Sequence, residues 1–197
     1  MVKEDLVELR GKFEAFAKSK ARENLQAFTA YTKKDYTFIW FHKLICKYLT
    51  MLERGDIKKL MIFVPPQHGK SELSSRRFPA FCLGRNPKVK VAIGSYSADL
   101  ANTFNRDVQN IIDSPEYKKV FPKTKLKGSG GKKGGERRNN SFFEVLGAKG
   151  SLKTVGIKGG LTGHRVDIGI IDDPFSGRQE ANSRAARERV WYWFSPW

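Results

Sequence analysis

A short apolar run that leads into a Gly-Lys-Ser turn constrains this chain more than any other feature. The run is Leu-Met-Ile-Phe-Val at residues 60–64, and the turn ends at Ser71. Its length and composition predict a buried β-strand, and the residues after Lys70 predict the start of a helix. Backbone N–H groups at a helix start attract anions. The stretch therefore predicts a phosphate-binding loop between a strand and a helix.

Two side chains of this loop have the chemistry that a bound nucleotide requires. Lys70 would reach the β- and γ-phosphates, and the Ser71 hydroxyl would contact Mg²⁺. The usual loop has a glycine five residues before the Gly-Lys pair, where this chain has Val64. A Gly-Lys-Ser triplet also fits a strand-to-helix turn with an exposed lysine. A second feature is therefore needed to distinguish a nucleotide site from such a turn.

The second feature is another apolar run, residues 166–171, which ends on Asp172, Asp173 and Pro174. Carboxylates at the carboxyl end of a strand lie where open α/β sheets bind ligands. In enzymes with such a loop, the first acid is associated with Mg²⁺ and the second polarises the attacking water. A turn or helix cap is the alternative for the acids alone. Both strands in this order favour a nucleotide site.

Composition bounds the remaining possibilities. The chain has 197 residues, enough for one domain, and a net charge of +17 with a pI near 10.0. Such an excess favours nucleic acid as a partner, with an anionic membrane or simple solubility as alternatives. No apolar run reaches the length of a membrane span, and no signal-peptide core is present, so we expect a cytoplasmic protein. Cys46 and Cys82 are isolated, which predicts two buried thiols with neither a disulfide nor a zinc site.

The order of predicted elements indicates an α/β fold with a parallel sheet flanked by helices. The predicted helices cover residues 2–30, 38–55, 72–78 with Pro79 ending or kinking it, one that begins after Ser97, and a charged one from about Glu180. The predicted strands cover residues 60–64, 88–96 and 166–172, with a hairpin at 141–146 and 151–157. Residues 118–138 are basic and rich in glycine. They form either a loop that follows a phosphate backbone or a solvated loop without a partner.

Five blocks in order resemble the large terminase subunit of tailed bacteriophages. They are residues 64–72 (Val-Pro-Pro-Gln-His-Gly-Lys-Ser-Glu), 95–101 (Ser-Tyr-Ser-Ala-Asp-Leu-Ala), 114–122 (Ser-Pro-Glu-Tyr-Lys-Lys-Val-Phe-Pro), 159–163 (Gly-Gly-Leu-Thr-Gly) and 170–174 (Ile-Ile-Asp-Asp-Pro). The resemblance implies a RecA-like P-loop ATPase domain with a mainly parallel sheet at residues 36–197. An N-terminal helical segment at residues 1–35 precedes it, and the family's C-terminal nuclease domain is not expected within this chain.

The resemblance also implies an activity and partners. The domain would hydrolyse ATP with Mg²⁺ to drive double-stranded DNA into a procapsid in the host cytoplasm. Its expected partners are duplex DNA, a portal protein and a small terminase subunit, and it would form a ring of identical subunits when assembled and a monomer in isolation. The alternatives are another P-loop translocase or helicase, and a basic DNA-binding module with an inactive nucleotide site.

By resemblance, residues 65–72 contact the nucleotide, Ser71 and Asp172 hold Mg²⁺, and Lys70, Asp173 and Arg106 are catalytic. The nucleotide contacts are Pro65, Pro66, Gln67, His68, Gly69, Lys70, Ser71 and Glu72. Arg106 is the expected arginine finger supplied to a neighbouring subunit. Gln67 stands where the family often has an arginine, and Asp173 is one methylene shorter than the glutamate common in such motors.

Overall fold

Four β-strands form one mixed sheet in the computed structural model, which describes residues 2–128, 138–157, 159–161 and 163–195. The strands are β1 (Lys90–Ser95), β2 (Phe142–Glu144), β3 (Ser151–Gly156) and β4 (Ile168–Asp172), in the order β2-β3-β1-β4. β1 pairs in parallel with both β3 and β4, whereas β2 pairs antiparallel with β3 as the predicted hairpin. The α/β class is confirmed, and the sheet is parallel only in part.

The helices are α1 (Val2–Glu23), α2 (Leu25–Thr32), α3 (Trp40–Arg54), a π-helix (Glu72–Arg77), α4 (Phe78–Arg85), α5 (Ala98–Asp113), α6 (Pro115–Val120), α7 (Arg178–Asn182) and α8 (Arg184–Phe194). Local sequence fixes several of these ends. The Ser97 hydroxyl accepts the Leu100 N–H at 3.2 Å and begins α5. Gly55 ends α3 with a φ of 84°, a conformation that glycine adopts readily. α1, α2, α3 and α5 confirm their sequence predictions.

The two faces of the sheet pack against different layers. Val91 and Ile93 of β1 belong to the main core, which also contains Leu73, Phe78 and Phe104 from the π-helix, α4 and α5. Ala92, which points the other way, packs with Val155 and Trp193 of α8. The Trp193 indole N–H also donates to the Gly159 carbonyl at 2.9 Å. Helical layers therefore cover both faces, as expected for an α/β domain.

The predicted strand at residues 60–64 is wrong. The segment alternates like a strand, because Leu60, Ile62 and Val64 pack on the core while Met61 and Phe63 are 82% and 88% exposed. However, among the described residues it has no ladder partner, and β4 pairs only with β1. A strand requires backbone hydrogen bonds to a neighbour, which the apolar pattern by itself cannot supply.

The prediction that a helix would end at Pro79 is also wrong, whereas a kink there stays a prediction. The π-helix continues directly into α4, and the Phe78 N–H donates five residues back to the Leu73 carbonyl. Pro79 then lies in the first turn of α4, where a missing N–H is tolerated. The charged helix predicted from Glu180 is instead two helices, α7 and α8, because Ser183 caps the second one through its hydroxyl.

The other sequence predictions have mixed outcomes. The first residues of the predicted basic loop, Lys118 to Val120, belong to α6, and residues 129–137 lie outside the described part of the chain. Cys46 and Cys82 are buried free thiols, as predicted, and burial raises the pKa of Cys46 to about 12. In the described residues, no helix combines the length and the apolar character needed to cross a membrane.

Candidate active site

Lys70 meets both predicted acids at the carboxyl end of β4. Its ammonium donates to Asp173 Oδ1 at 2.5 Å and lies 3.1 Å from Asp172 Oδ1, although 103 residues separate Lys70 from Asp173 in the chain. The fold therefore brings together the cation of the loop and the carboxylates of the acidic strand. This edge of the sheet is where open α/β folds bind their ligands.

Asp172 is the buried member of this group. Its side chain is only 2% exposed, and the Ser75 hydroxyl donates to its Oδ2 at 2.7 Å. Ser75 lies in the π-helix one turn after Ser71, so the helix that carries the loop also orients the acid. Sequence analysis missed Ser75. Its position four residues after Ser71, on the same helical face, was the available signal.

The electrostatics of the site favour a charged lysine. Burial alone would lower the pKa of Lys70, but the hydrogen bond to Asp173 and the charge of Asp172 outweigh it and raise that pKa above the ordinary 10.5. Because the pKa of Lys70 is higher in the folded state than in the unfolded chain, its charge stabilises the fold. This stabilisation is complete at pH values below the unfolded-state pKa. This contribution is lost as pH rises through the folded-state value, so the ion pairs persist throughout the neutral range.

The backbone of the loop has two residues in the left-handed region. Gln67 has a φ of 63° and Gly69 a φ of 72°. α3 contacts the loop, because His42 Nε2 lies 3.1 Å from the His68 carbonyl oxygen. The Ile39 N–H donates to His42 Nδ1 at 3.3 Å, so Nε2 carries the proton and donates to His68. The loop conformation is thus fixed by contacts outside the loop itself.

Gly69 has no room for a side chain. A Cβ there would lie 2.7 Å from the Tyr36 hydroxyl and 3.1 Å from His42 Nε2. The Tyr36 hydroxyl is buried and has no hydrogen-bond partner in the described part of the chain, and burial raises its pKa to about 12. Close approach and positive φ together require glycine at this position.

We expect Gly69→Ala to lower the free energy of unfolding by about 2–3 kcal/mol, measured by urea denaturation. Gly55→Ala is the matched control, since Gly55 also has positive φ but open space around it, and it should lose only about 1 kcal/mol. Adding Tyr36→Phe to Gly69→Ala removes the hydroxyl and should recover most of the difference. Equal losses in the two single variants would show that Tyr36 does not restrict the loop.

The remaining predicted site residues occupy varied positions. Pro65, Pro66, Gln67 and His68 are exposed, and Ser71 is partly buried at the start of the π-helix. The Glu72 carboxylate accepts from Arg77 at 2.8 Å and lies 3.6 Å from the Lys33 ammonium, which directs it toward α2. Arg106 is exposed on α5 and donates to Thr103 at 3.1 Å. Within the described ranges, Arg106 makes no hydrogen bond or ion pair with the loop or with the two acids.

The oxygen donors present suit Mg²⁺ bound together with phosphate. Ser71 and Asp172 offer one hydroxyl and one carboxylate, and Mg²⁺ typically takes one or two protein oxygens besides substrate phosphates and waters. In the part of the chain that the structure describes, no group of three or more His, Cys, Asp or Glu side chains could hold a metal by itself. The donor set therefore fits a metal that arrives with its nucleotide.

Comparison with known proteins gives two matches. Residues 61–194 match the family described as "Terminase large subunit, T4likevirus-type, N-terminal". The chain is also 34% identical over 146 residues to the terminase large subunit of Enterobacteria phage T3, an alignment that covers 72% of this chain and 23% of that protein. The chain thus spans less than a quarter of the length of this relative. The family match includes the loop residues Gly69 to Ser71 and both acids.

Proposed function

Because this chain belongs to the family of terminase large subunits, we propose that it is an ATPase motor domain that powers DNA packaging. The observation that carries the proposal is the meeting of Lys70 with Asp172 and Asp173 beside a glycine-containing loop. A lysine, a buried acid and an exposed acid at the end of a parallel strand are the groups that phosphoryl transfer to water requires. We propose a RecA-like P-loop architecture for the domain on the same grounds.

Each residue of the site has a distinct role in this proposal. Backbone N–H groups of residues 67–71 bind the phosphates of ATP, and Lys70 leaves the two acids to contact the β- and γ-phosphates. Ser71 and Asp172 would hold Mg²⁺, and the metal would supply positive charge to offset the charge of the transferring phosphoryl group. Asp173, whose side chain is 58% exposed, accepts a hydrogen bond from the attacking water. Arg106 acts on the site of a neighbouring subunit, which agrees with its exposed position on α5.

The contacts of Lys70 make this exchange feasible. The two carboxylates hold the ammonium at the place where it is needed, and incoming phosphate oxygens offer an equivalent set of charged acceptors. The Lys70 ammonium therefore exchanges carboxylate oxygens for phosphate oxygens and is paired with anions before and after the movement. Its departure frees Asp172 Oδ1 for the metal and Asp173 for water, so a single movement prepares both acids.

Duplex DNA is the proposed polyanion. The net charge of +17 gives the chain a long-range attraction for phosphate backbones that salt would weaken. Movement along DNA needs contact with the backbone rather than with particular bases, and lysine and arginine supply it. A portal protein, a small terminase subunit and neighbouring copies of the chain in a ring are the proposed protein partners.

The experiment that tests the function is ATP hydrolysis by the purified chain. We expect turnover that requires Mg²⁺, disappears with EDTA, and increases with protein concentration because an arginine finger acts between subunits. Duplex DNA should increase it further at low salt. A helicase would separate the strands of a labelled duplex, whereas a packaging motor leaves them paired. Binding of ATP without turnover under all these conditions would favour the DNA-binding module with an inactive site.

A further inference from the structure

The Ser95 side chain is buried beside the site, and no described residue is its hydrogen-bond partner. Ser95 is 0% exposed, and its hydroxyl makes no hydrogen bond to any residue that the structure describes. The backbone is satisfied, since the Ser95 carbonyl accepts the Ile157 N–H at 2.9 Å. An unpartnered buried hydroxyl destabilises a fold, and such a group is retained mainly where it has a function.

The sheet register places this hydroxyl next to the metal-associated acid. Ser95 is the last residue of β1 and pairs with Asp172 on β4 and with Gly156 on β3. Residues paired in register project from the same face of a sheet, so Ser95 and Asp172 are side by side and Gly156 contributes no side chain. This is the face covered by the π-helix, whose Ser75 already binds Asp172.

Both carboxylate oxygens of Asp172 have partners, so the hydrogen-bond partner of Ser95 has to be another group, and a metal-bound water fits. Ser75 satisfies Oδ2, and Oδ1 is paired with Lys70, the group that moves to the phosphates in the proposed function. A water molecule in the Mg²⁺ shell has two protons to donate. One of them can go to Ser95 Oγ, while Asp172 Oδ1 holds the metal itself. Mg²⁺ keeps several waters in protein sites, so a protein group that orients one of them is chemically expected.

We propose that Ser95 is a positioning residue that orients a water of the Mg²⁺ shell beside Asp172. The inference rests on the proposed function, because it requires Mg²⁺ to bind with the nucleotide. It adds a residue from β1 to a site otherwise built from the loop, the π-helix and β4. It also explains why a hydroxyl occupies a buried position where alanine would pack without loss of a hydrogen bond.

Ser95→Ala tests the inference by two measurements on the full chain. Removal of an unpartnered hydroxyl should leave Tm unchanged or raise it by about 2–4 °C without any ligand. Binding of a fluorescent ATP analogue, titrated with Mg²⁺, should need about tenfold more metal for half-saturation, because groups that orient metal ligands typically contribute 10- to 100-fold in affinity.

Thr29→Val is the matched control. Among the described residues, Thr29 is also 0% exposed with a hydroxyl that makes no hydrogen bond, but it lies on α2, which carries none of the proposed site residues. Its Tm should rise in the same way, and its Mg²⁺ midpoint should equal that of the unsubstituted chain. A shift of the midpoint in Thr29→Val would overturn the inference, because stability alone would then explain the effect.

Two results separate this inference from the proposed function. If the unsubstituted chain binds the analogue with Mg²⁺ and Ser95→Ala has the same midpoint, the inference is overturned and the function stands. If the unsubstituted chain shows no metal-dependent binding, both are overturned. A clear fall in Tm for Ser95→Ala would also overturn the inference, since it would reveal a structural partner for the hydroxyl.

Discussion

Replacement of Lys70 by alanine is expected to weaken ATP binding about 100-fold. The lysine is the only described side-chain cation within bonding distance of the two acids, and it makes charge-assisted contacts that are each equivalent to about 1.5–3 kcal/mol. Loss of those contacts from the phosphates corresponds to about two orders of magnitude in Kd. Titration of a fluorescent ATP analogue in the presence of Mg²⁺ measures the effect.

The same substitution should also lower stability. Asp172 is 2% exposed, and without Lys70 the Ser75 hydroxyl is the one partner that the described residues leave to its side chain. A buried carboxylate that loses its cation destabilises the fold, here by about 1–3 kcal/mol because the Lys70 side chain is itself 24% exposed and partly screened. Urea denaturation monitors this loss. Lys70→Ala therefore combines a loss of phosphate contacts with a loss of folding stability.

A double variant separates them. Lys70→Met with Asp172→Asn replaces the ion pair by neutral side chains of similar size, which should restore most of the stability while ATP binding stays lost. Lys58→Ala is the control for a general loss of charge, since Lys58 is exposed and, among the described residues, forms no ion pair with either acid. Retention of wild-type ATP affinity in Lys70→Ala would show that the loop is not the phosphate site.

Sequence patterns predicted the elements that depend on local chemistry. The caps at Ser97 and Gly55 and the apolar stripes of α3 and α5 are properties of neighbouring residues, so they were readable. The sequence also singled out the two acids and Lys70, because each follows a recognisable run, and the structure brings these three side chains together. Their distances could not be predicted, since they depend on how β4 pairs with β1, a contact between residues far apart in the chain.

The failures share a physical cause. Residues 60–64 have the alternation of a strand, but strand formation depends on a neighbour that no local pattern specifies. Ser75 and Ser95 were missed because serines are common at surfaces and turns. The spacing of four residues from Ser71 was a signal for Ser75, but its hydrogen bond to Asp172 and the pairing of Ser95 with Asp172 are seen only in the structure. A polar residue that acts by contacting another site residue can be identified only once the tertiary structure shows that contact.

Asp173→Asn should separate ATP binding from hydrolysis. Asp173 has a φ of 46°, a left-handed conformation that asparagine tolerates better than most residues, so the substitution leaves the backbone undisturbed. The Tyr96 N–H still donates to the Asp173 carbonyl at 3.1 Å. Asp173→Ala, by contrast, would add backbone strain of about 1 kcal/mol to the loss of the carboxylate. Asparagine therefore isolates the chemistry of the acid.

The expected result is turnover lower by about 10²- to 10⁴-fold, because the amide cannot accept a proton from the attacking water. ATP affinity should stay the same or increase. The Asp173 carboxylate holds the Lys70 ammonium at 2.5 Å, and its removal leaves the phosphates with one competitor fewer. Single-turnover hydrolysis and equilibrium binding of the same preparation give both quantities.

Asp172→Asn provides the contrast within the same site. It removes the proposed metal ligand, so it should raise the Mg²⁺ requirement for binding, which Asp173→Asn leaves unchanged. Asp173→Glu adds the methylene that the family's usual acid carries and should keep measurable turnover. If Asp173→Asn hydrolysed ATP at the wild-type rate, Asp173 would be no more than a partner of Lys70. The water-activating base would then have to come from a residue outside this pair of acids.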